Sequence, residues 1–171
     1  MVDFDVVDLP ETDHVAEGEE APDFTRPLAT DEYWEDVALS DLLAEGPVVL
    51  LFHPMDGAFP TTYMWQEFVD LGLEDYGVQV AGLSISSPYE HKQTIEERGI
   101  EHLAGLFSDP QNGVAETYGI VNDLDGMHGV EEPRPAVYVI DEDGTVAYAW
   151  VAEEWPDFPD YEAVEQAVRE L

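Results

Sequence analysis

From residue 47 onward, short continuous apolar runs alternate with stretches whose apolar positions have helical spacing. The runs PVVLLFHP (47–54) and VQVAGLSI (78–85) predict strands buried on both faces, because one-sided strands would alternate with polar residues. Between them MDGAFPTT predicts a turn. Met64, Phe68 and Leu71 then recur at i, i+4 and i+7, which predicts a helix with one apolar face.

The second half of the chain carries clear boundary signals. Ser87 and Glu90 form a capping box around Pro88, and Gly99 ends the helix that begins there. The next elements are a short strand, a short helix, a β-hairpin and a final helix capped by Asp160, at 103–107, 114–118, 136–151 and 160–171. This order predicts an α/β fold, a central mixed β-sheet flanked by helices.

The chain of 171 residues predicts one domain. Residues 1–17 are acidic with little periodicity and predict an N-terminal tail or a loosely docked first strand, followed by a single domain over 18–171. No internal repeat or linker divides that domain. The N-terminus has no positively charged region of the kind that opens a signal peptide, which favours a cytoplasmic location.

The excess of acidic residues is the most informative feature of the composition. The chain has 40 acidic and 5 basic residues, a formal net charge of −35. The acids are spread through periodic segments, which favours a folded domain with an acidic surface over a disordered chain. Such a surface repels itself in dilute salt and is screened in concentrated salt, so the composition predicts adaptation to a salt-rich cytoplasm, as in halophilic archaea.

Several functional classes are disfavoured by the same composition. Nucleic acids and anionic membranes need clustered Lys and Arg, which this chain lacks, and no apolar run reaches the length of a membrane span. The absence of cysteine excludes disulfides and thiolate chemistry. The histidines show no metal-binding spacing, so neither a metal nor another cofactor is predicted.

Five segments in the right order resemble the peroxiredoxins, the alkyl-hydroperoxide-reductase and thiol-specific-antioxidant type of redoxin domain. They are GEEAPDF (18–24), LSDLLAEGPVVLLFHP (39–54), LSISSPYEHKQTIEERGIEHLAGLFSD (83–109), GVAETYGI (113–120) and VYVIDEDGTV (137–146). The resemblance covers nearly the whole chain from Gly18 and implies a thioredoxin-like fold.

The catalytic loop implied by this resemblance has the form P-x-x-x-T-x-x-C. Pro54 is kept, Ala58 takes the threonine position and Thr61 takes the position of the peroxidatic cysteine. Arg134 is the candidate for the family's arginine, but it lies one residue further from Asp141 than the family pattern requires. Pro135 falls where thioredoxin-like proteins often carry a cis-proline. The resemblance therefore implies a vestigial pocket at these positions.

Thr61 can be interpreted as a nucleophile or as a helix cap. A hydroxyl needs a base to become a nucleophile, and it has no sulfenate chemistry, so we favour the cap. His53, Asp56 and His128 are the polar residues expected nearest to the pocket, whereas His91 is expected on the surface.

Three hypotheses follow for function. In the first, the protein is a non-catalytic redoxin whose pocket binds a partner or a small molecule that the sequence does not identify. In the second, it is an enzyme using non-thiol chemistry through His53, Asp56, His128 or Arg134. In the third, it is a structural partner that forms a homodimer, or a heterodimer with a cysteine-bearing paralogue.

Overall fold

A seven-stranded mixed sheet forms the centre of the computed structural model, which describes residues 5–123 and 126–171. Its strand order is β10-β9-β4-β5-β6-β2-β3, with β4, β5 and β6 parallel and the other pairings antiparallel. The strands are β1 Val7–Asp8, β2 Thr25–Ala29, β3 Trp34–Ala38, β4 Val48–Phe52, β5 Gln79–Ser84, β6 Gly105–Ser108, β7 Val121–Asn122, β8 Glu132–Pro133, β9 Ala136–Ile140, β10 Val146–Val151 and β11 Glu154–Trp155.

Helices cover both faces of this sheet. They are α1 Leu39–Leu43, α2 Phe59–Leu71, α3 Pro88–Arg98, α4 Gly113–Tyr118 and α5 Tyr161–Arg169. The predicted mixed sheet flanked by helices is confirmed, with β4, β5 and β9 inside it as expected. The capping box at Ser87, the helix end at Gly99 and the Asp160 cap are confirmed as well.

Side-chain alternation along β9 separates two apolar cores. Ala136, Tyr138 and Ile140 face the core that contains α1 and α4, whereas Val137 and Val139 face the core beneath α2, α3 and α5. In β4, Val49 and Leu51 also face the second core, because successive strand residues point to opposite faces. His53 continues the second set, which places it on the α2 side of the sheet.

Helix α2 begins four residues earlier than predicted. Its N-cap is Ala58, and Pro60 lies in its first turn, where a missing backbone N–H costs no intrahelical hydrogen bond. The turn predicted over residues 55–62 from its glycine and proline is therefore shorter in the structure. Trp65 of α2 packs on Gly82 of β5 so closely that a Cβ there would lie 2.5 Å from the indole ring.

The β2–β3 hairpin at one edge of the sheet was not predicted from the sequence. The opposite edge, β10, is covered by the N-terminal segment, where Gly18 donates to Val146 and Val146 donates to Glu19. The Glu17 carboxylate accepts a hydrogen bond from the Ala149 backbone. Nearer the N-terminus, β1 pairs with β11. The first four residues of the predicted tail lie outside the described part of the chain.

Candidate functional site

The loop between β4 and α2 carries Pro54, Ala58 and Thr61, three of the four residues implied for the vestigial pocket. Thr61 is 2% exposed and lies in the first turn of α2, where its hydroxyl is 3.4 Å from the carbonyl oxygen of Pro54. The prediction that Thr61 caps the helix is wrong, because Ala58 occupies the N-cap position and provides no side-chain hydrogen bond. Thr61 is a buried hydroxyl bonded to the backbone.

The fourth residue, Arg134, lies on the other face of the sheet. It precedes Ala136 by two positions and so continues the alternation of Ala136 and Tyr138 rather than that of Val137. Its Nη1 donates to the carbonyl of Ala152 at 3.0 Å. The one-residue offset from the family pattern accounts for this position, because a shift of one residue moves a side chain to the opposite face. Pro135 forms a trans peptide bond, since the bond before Pro156 is the cis bond among the described residues.

A buried polar cluster surrounds the loop that precedes Thr61. The His91 ring donates from Nδ1 to Oδ2 of Asp56 at 2.7 Å and from Nε2 to the carbonyl of Phe107 at 3.0 Å. Thr94 donates to the same carboxylate oxygen at 2.9 Å. Both ring nitrogens of His91 face acceptors, so the ring is held at both ends by hydrogen bonds.

Burial and hydrogen bonding act against each other on Asp56. Burial raises the pKa of Asp56, but the hydrogen bonds from His91 and Thr94 and the charge of His91 outweigh it, so that pKa lies below its ordinary value. The backbone N–H of Asp56 also donates to the hydroxyl of Ser86 at 2.8 Å. These bonds tie the loop after β4 to α3 and to the loop before it.

His53 is the neutral member of the cluster. Its Nδ1 donates to the Pro54 carbonyl at 2.7 Å, the same oxygen that Thr61 approaches. Burial lowers the pKa of His53 to about 4, and the neighbouring His91 charge acts in the same direction. The 3.9 Å separation between its Nδ1 and Oδ1 of Asp56 is therefore not an ion pair at neutral pH. Its Nε2 is buried without a hydrogen-bond partner, beside the Trp65 ring.

Sequence reasoning placed one of these residues wrongly and missed another. His91 was expected on the surface, yet it is fully buried, and Thr94 was not considered. The signal was present in α3, because His91 lies four positions before the buried Ile95 and so shares its helix face. Because His91 is buried, the site is a hydrogen-bonded network that joins α3 to the loop after β4, and not a set of loop residues alone.

The four residues proposed for non-thiol chemistry do not meet. His53 and Asp56 belong to the cluster, but His128 is exposed and lines a cavity that contains neither of them. Arg134 lines another cavity, with no cluster residue on its wall. Over residues 5–123 and 126–171, no group of His, Cys, Asp or Glu side chains has an arrangement that would hold a metal ion.

Acidification tests the neutral state of His53. The unfolded chain takes up the proton near pH 6.5 and the folded chain only near 4, so the stability present above pH 6.5 is lost as the pH falls towards 4. We expect this to cost about 3 kcal/mol of unfolding free energy across that window. Urea denaturation measures this loss. Molar KCl is used because acidification also neutralises surface carboxylates and relieves their repulsion, an opposing effect that screening removes.

His53→Asn is the control for this measurement, because asparagine does not titrate. Its unfolding free energy should fall less across the same window, and the difference between the two profiles isolates His53. Parallel profiles for the two proteins would show that His53 is not held neutral.

Comparisons with known proteins agree with this fold. Residues 17–149 match the AhpC/TSA family. The chain is 28% identical to a chloroplastic 2-cysteine peroxiredoxin from Chattonella marina var. antiqua over 149 residues, which are 78% of this chain and 69% of that protein. It is 28% identical to mouse peroxiredoxin-2 over 160 residues, 89% of this chain and 75% of the relative.

Solved structures are similar over almost the full length. The crystal structure of peroxidoxin BcpB from Mycobacterium tuberculosis superposes with a TM-score of 0.73 and 26% identity, covering 91% of this chain and 95% of that one. Enterococcus faecalis AhpC gives a TM-score of 0.76 at 16% identity and covers 91% of each chain, a similarity of fold. The thioredoxin-like architecture inferred from the sequence is confirmed.

Proposed function

The chain belongs to the AhpC/TSA family, and from this premise we propose that it is a redoxin-domain protein without peroxidase activity that acts by binding a partner or a small molecule. The observation that carries this proposal is the state of Thr61. Its hydroxyl stands at the position that the family resemblance assigns to the peroxidatic cysteine, but it is 2% exposed and directed at a backbone carbonyl. A hydroxyl needs a base to become a nucleophile, and this one faces an acceptor that cannot remove its proton.

The polar cluster supports the same proposal. Asp56 is bonded to His91 and Thr94, and the His91 imidazole is bonded at both nitrogens. Groups that are already paired in the interior hold the loop in place, and they offer no free donor to an incoming peroxide. Arg134 lies on the opposite face of the sheet, so its positive charge is not available at the loop to stabilise a thiolate.

One observation favours the second candidate, an enzyme with non-thiol chemistry. The Nε2 atom of His53 is an unprotonated nitrogen with no hydrogen-bond partner, and such a nitrogen is a general base when a substrate reaches it. His53 is fully buried, so the loop after β4 would have to open first. If His53 were such a base, His53→Asn would abolish activity while leaving the protein folded.

Installing a cysteine tests the first proposal. We expect the protein to show no turnover of hydrogen peroxide with a dithiol reductant, and Thr61→Cys to react with peroxide within about tenfold of free cysteine. Burial raises the pKa of a thiol here, and Ala58 lacks the hydroxyl of the family's threonine. The amino terminus of α2 favours a thiolate, but by a modest amount. Stopped-flow measurement of the second-order rate constant checks this.

The matched comparison is Thr61→Cys combined with Ala58→Thr. A larger rate in the double variant would attribute part of the loss to Ala58. A rate for the single variant roughly a hundredfold or more above free cysteine would show a working peroxide pocket and contradict the proposal.

We also propose that the protein works in a salt-rich cytoplasm, as in halophilic archaea. The support is the net charge of −35, which destabilises a compact state unless salt screens it. The part of the chain that the structure describes contains no helix long and apolar enough to cross a membrane. A homodimer, or a heterodimer with a cysteine-bearing paralogue, stays a prediction.

A further inference from the structure

A second cavity lies on the face of the sheet opposite to α2, between the N-terminal segment and the end of β10. Its volume is about 530 Å³, within the range of small-molecule sites. Arg134 contributes to its wall, and four exposed acidic residues contribute the rest of its charge: Asp8, Glu11, Glu153 and Glu154. This site shares no residue with the polar cluster around His53.

Arg134 is an unpaired cation in this wall. It is 3% exposed, and its one side-chain hydrogen bond runs from Nη1 to the Ala152 carbonyl. Nε is buried with no acceptor, and among the described residues no acceptor meets Nη2 and no carboxylate lies within 4 Å of the guanidinium. Nη2 is the guanidinium nitrogen left to donate to a carboxylate in the cavity.

An unpaired buried guanidinium has an energetic cost that a ligand can remove. Burial lowers the pKa of Arg134, which shows that its surroundings disfavour the charge. Buried charges in proteins are normally paired, and this chain offers 40 acidic residues from which a partner was available. The guanidinium is therefore suited to a carboxylate that arrives from outside.

The four acidic residues restrict what that ligand is. They outnumber Arg134 and lie on a protein of net charge −35, so a simple anion is repelled from the cavity. A molecule with a carboxylate for Arg134 and positive groups for the acids satisfies both parts of the wall. The basic amino acids, which carry one carboxylate and two cationic groups, are the simplest molecules of this kind.

We propose that the Arg134 cavity binds a small zwitterionic molecule with an additional positive charge, of the basic amino-acid class. Its carboxylate pairs with Nη2 of Arg134, and its cationic groups meet the acidic residues of the rim. This site does not include Thr61, so its test is separate from the test of peroxidase activity. It rests on the proposed binding function only in that it names a ligand class for it.

Isothermal titration calorimetry tests the site with three probes: L-arginine, agmatine and acetate. Agmatine keeps the guanidinium and an amine but has no carboxylate, and acetate is the carboxylate alone. We expect L-arginine to bind at least about tenfold more tightly than either probe, because only it engages both parts of the wall. Equal affinity for agmatine and L-arginine would overturn the role of Arg134, and so would a lack of L-arginine binding.

Variants separate the two parts of the wall. Arg134→Gln should weaken L-arginine binding by about tenfold or more and leave agmatine binding unchanged or stronger. Glu153→Gln should weaken both, whereas Glu96→Gln, an equal change of charge at an exposed position of α3, should weaken neither. If Arg134→Gln fails to fold, the Glu153 and Glu96 pair still decides the proposal. Equal effects of those two substitutions would show only nonspecific attraction to an acidic protein and would overturn the proposal.

Discussion

Replacing Asp56 by asparagine is expected to lower the free energy of unfolding by about 3 kcal/mol. The Asp56 carboxylate accepts hydrogen bonds from His91 at 2.7 Å and from Thr94 at 2.9 Å. An amide keeps an oxygen for one of these bonds, but it removes the carboxylate charge that strengthens both of them beside the fully buried His91 ring. One of the two donors then loses its acceptor in the protein interior, which is costly.

Urea denaturation in molar KCl measures this loss, with Asp36→Asn as the matched control. Asp36 is an exposed residue of β3, so the same substitution there removes one repelling charge and should leave stability unchanged or slightly higher. A double-mutant cycle with His91→Gln then isolates the coupling between the two side chains. A loss below about 1 kcal/mol in Asp56→Asn would show that these bonds contribute no more than an exposed ion pair does, and it would contradict the prediction.

The thermal midpoint is expected to rise by at least about 10 °C between about 0.1 M and 2 M KCl, because the range of charge repulsion shortens from about 10 Å to about 3 Å or less. The cause is the excess of 40 acidic over 5 basic residues. Acidic side chains on opposite faces repel each other at low salt, and concentrated salt leaves only close neighbours interacting. Calorimetry or circular dichroism at matched pH gives the midpoint.

A charge-reduced variant distinguishes screening from the general effect of salt on apolar burial. Converting exposed acids at 35, 36, 96, 142 and 162 to their amides should flatten the salt dependence, since fewer charges remain to be screened. A midpoint that stays constant with salt in the unchanged protein would refute adaptation to a salt-rich cytoplasm.

The buried centre of the fold was predictable because its strands are continuous apolar runs. β4 and β9 are buried over their entire length and β5 over all but its first residue, and such runs can be recognised without knowing their partners. The β2–β3 hairpin lacks this property: Pro27 interrupts one strand, and Glu35 and Asp36 occupy the other. Its pairing depends on its place at the sheet edge, which local sequence does not encode.

The site was predictable in position but not in composition. The loop after β4 followed from the motif around Pro54, whereas the partners of Asp56 come from α3, 35 and 38 residues away. His91 was expected on the surface, although helical periodicity places it on the same face as Ile95 and could have predicted its burial. The position of Arg134 depended on strand parity, so a difference of one residue decided which face received the charge.

The covered edge of β10 has a consequence for crowded, salty solutions. An open sheet edge is a template on which a second chain adds a strand, and proteins usually guard it with repelling charge or with a covering segment. In molar salt the first defence is weak, since screening lets acidic copies approach each other. Here Gly18 and Glu19 already occupy the backbone groups of Val146, and Glu17 occupies that of Ala149. Protection from fibril-like association at this edge therefore persists under the conditions that abolish electrostatic protection.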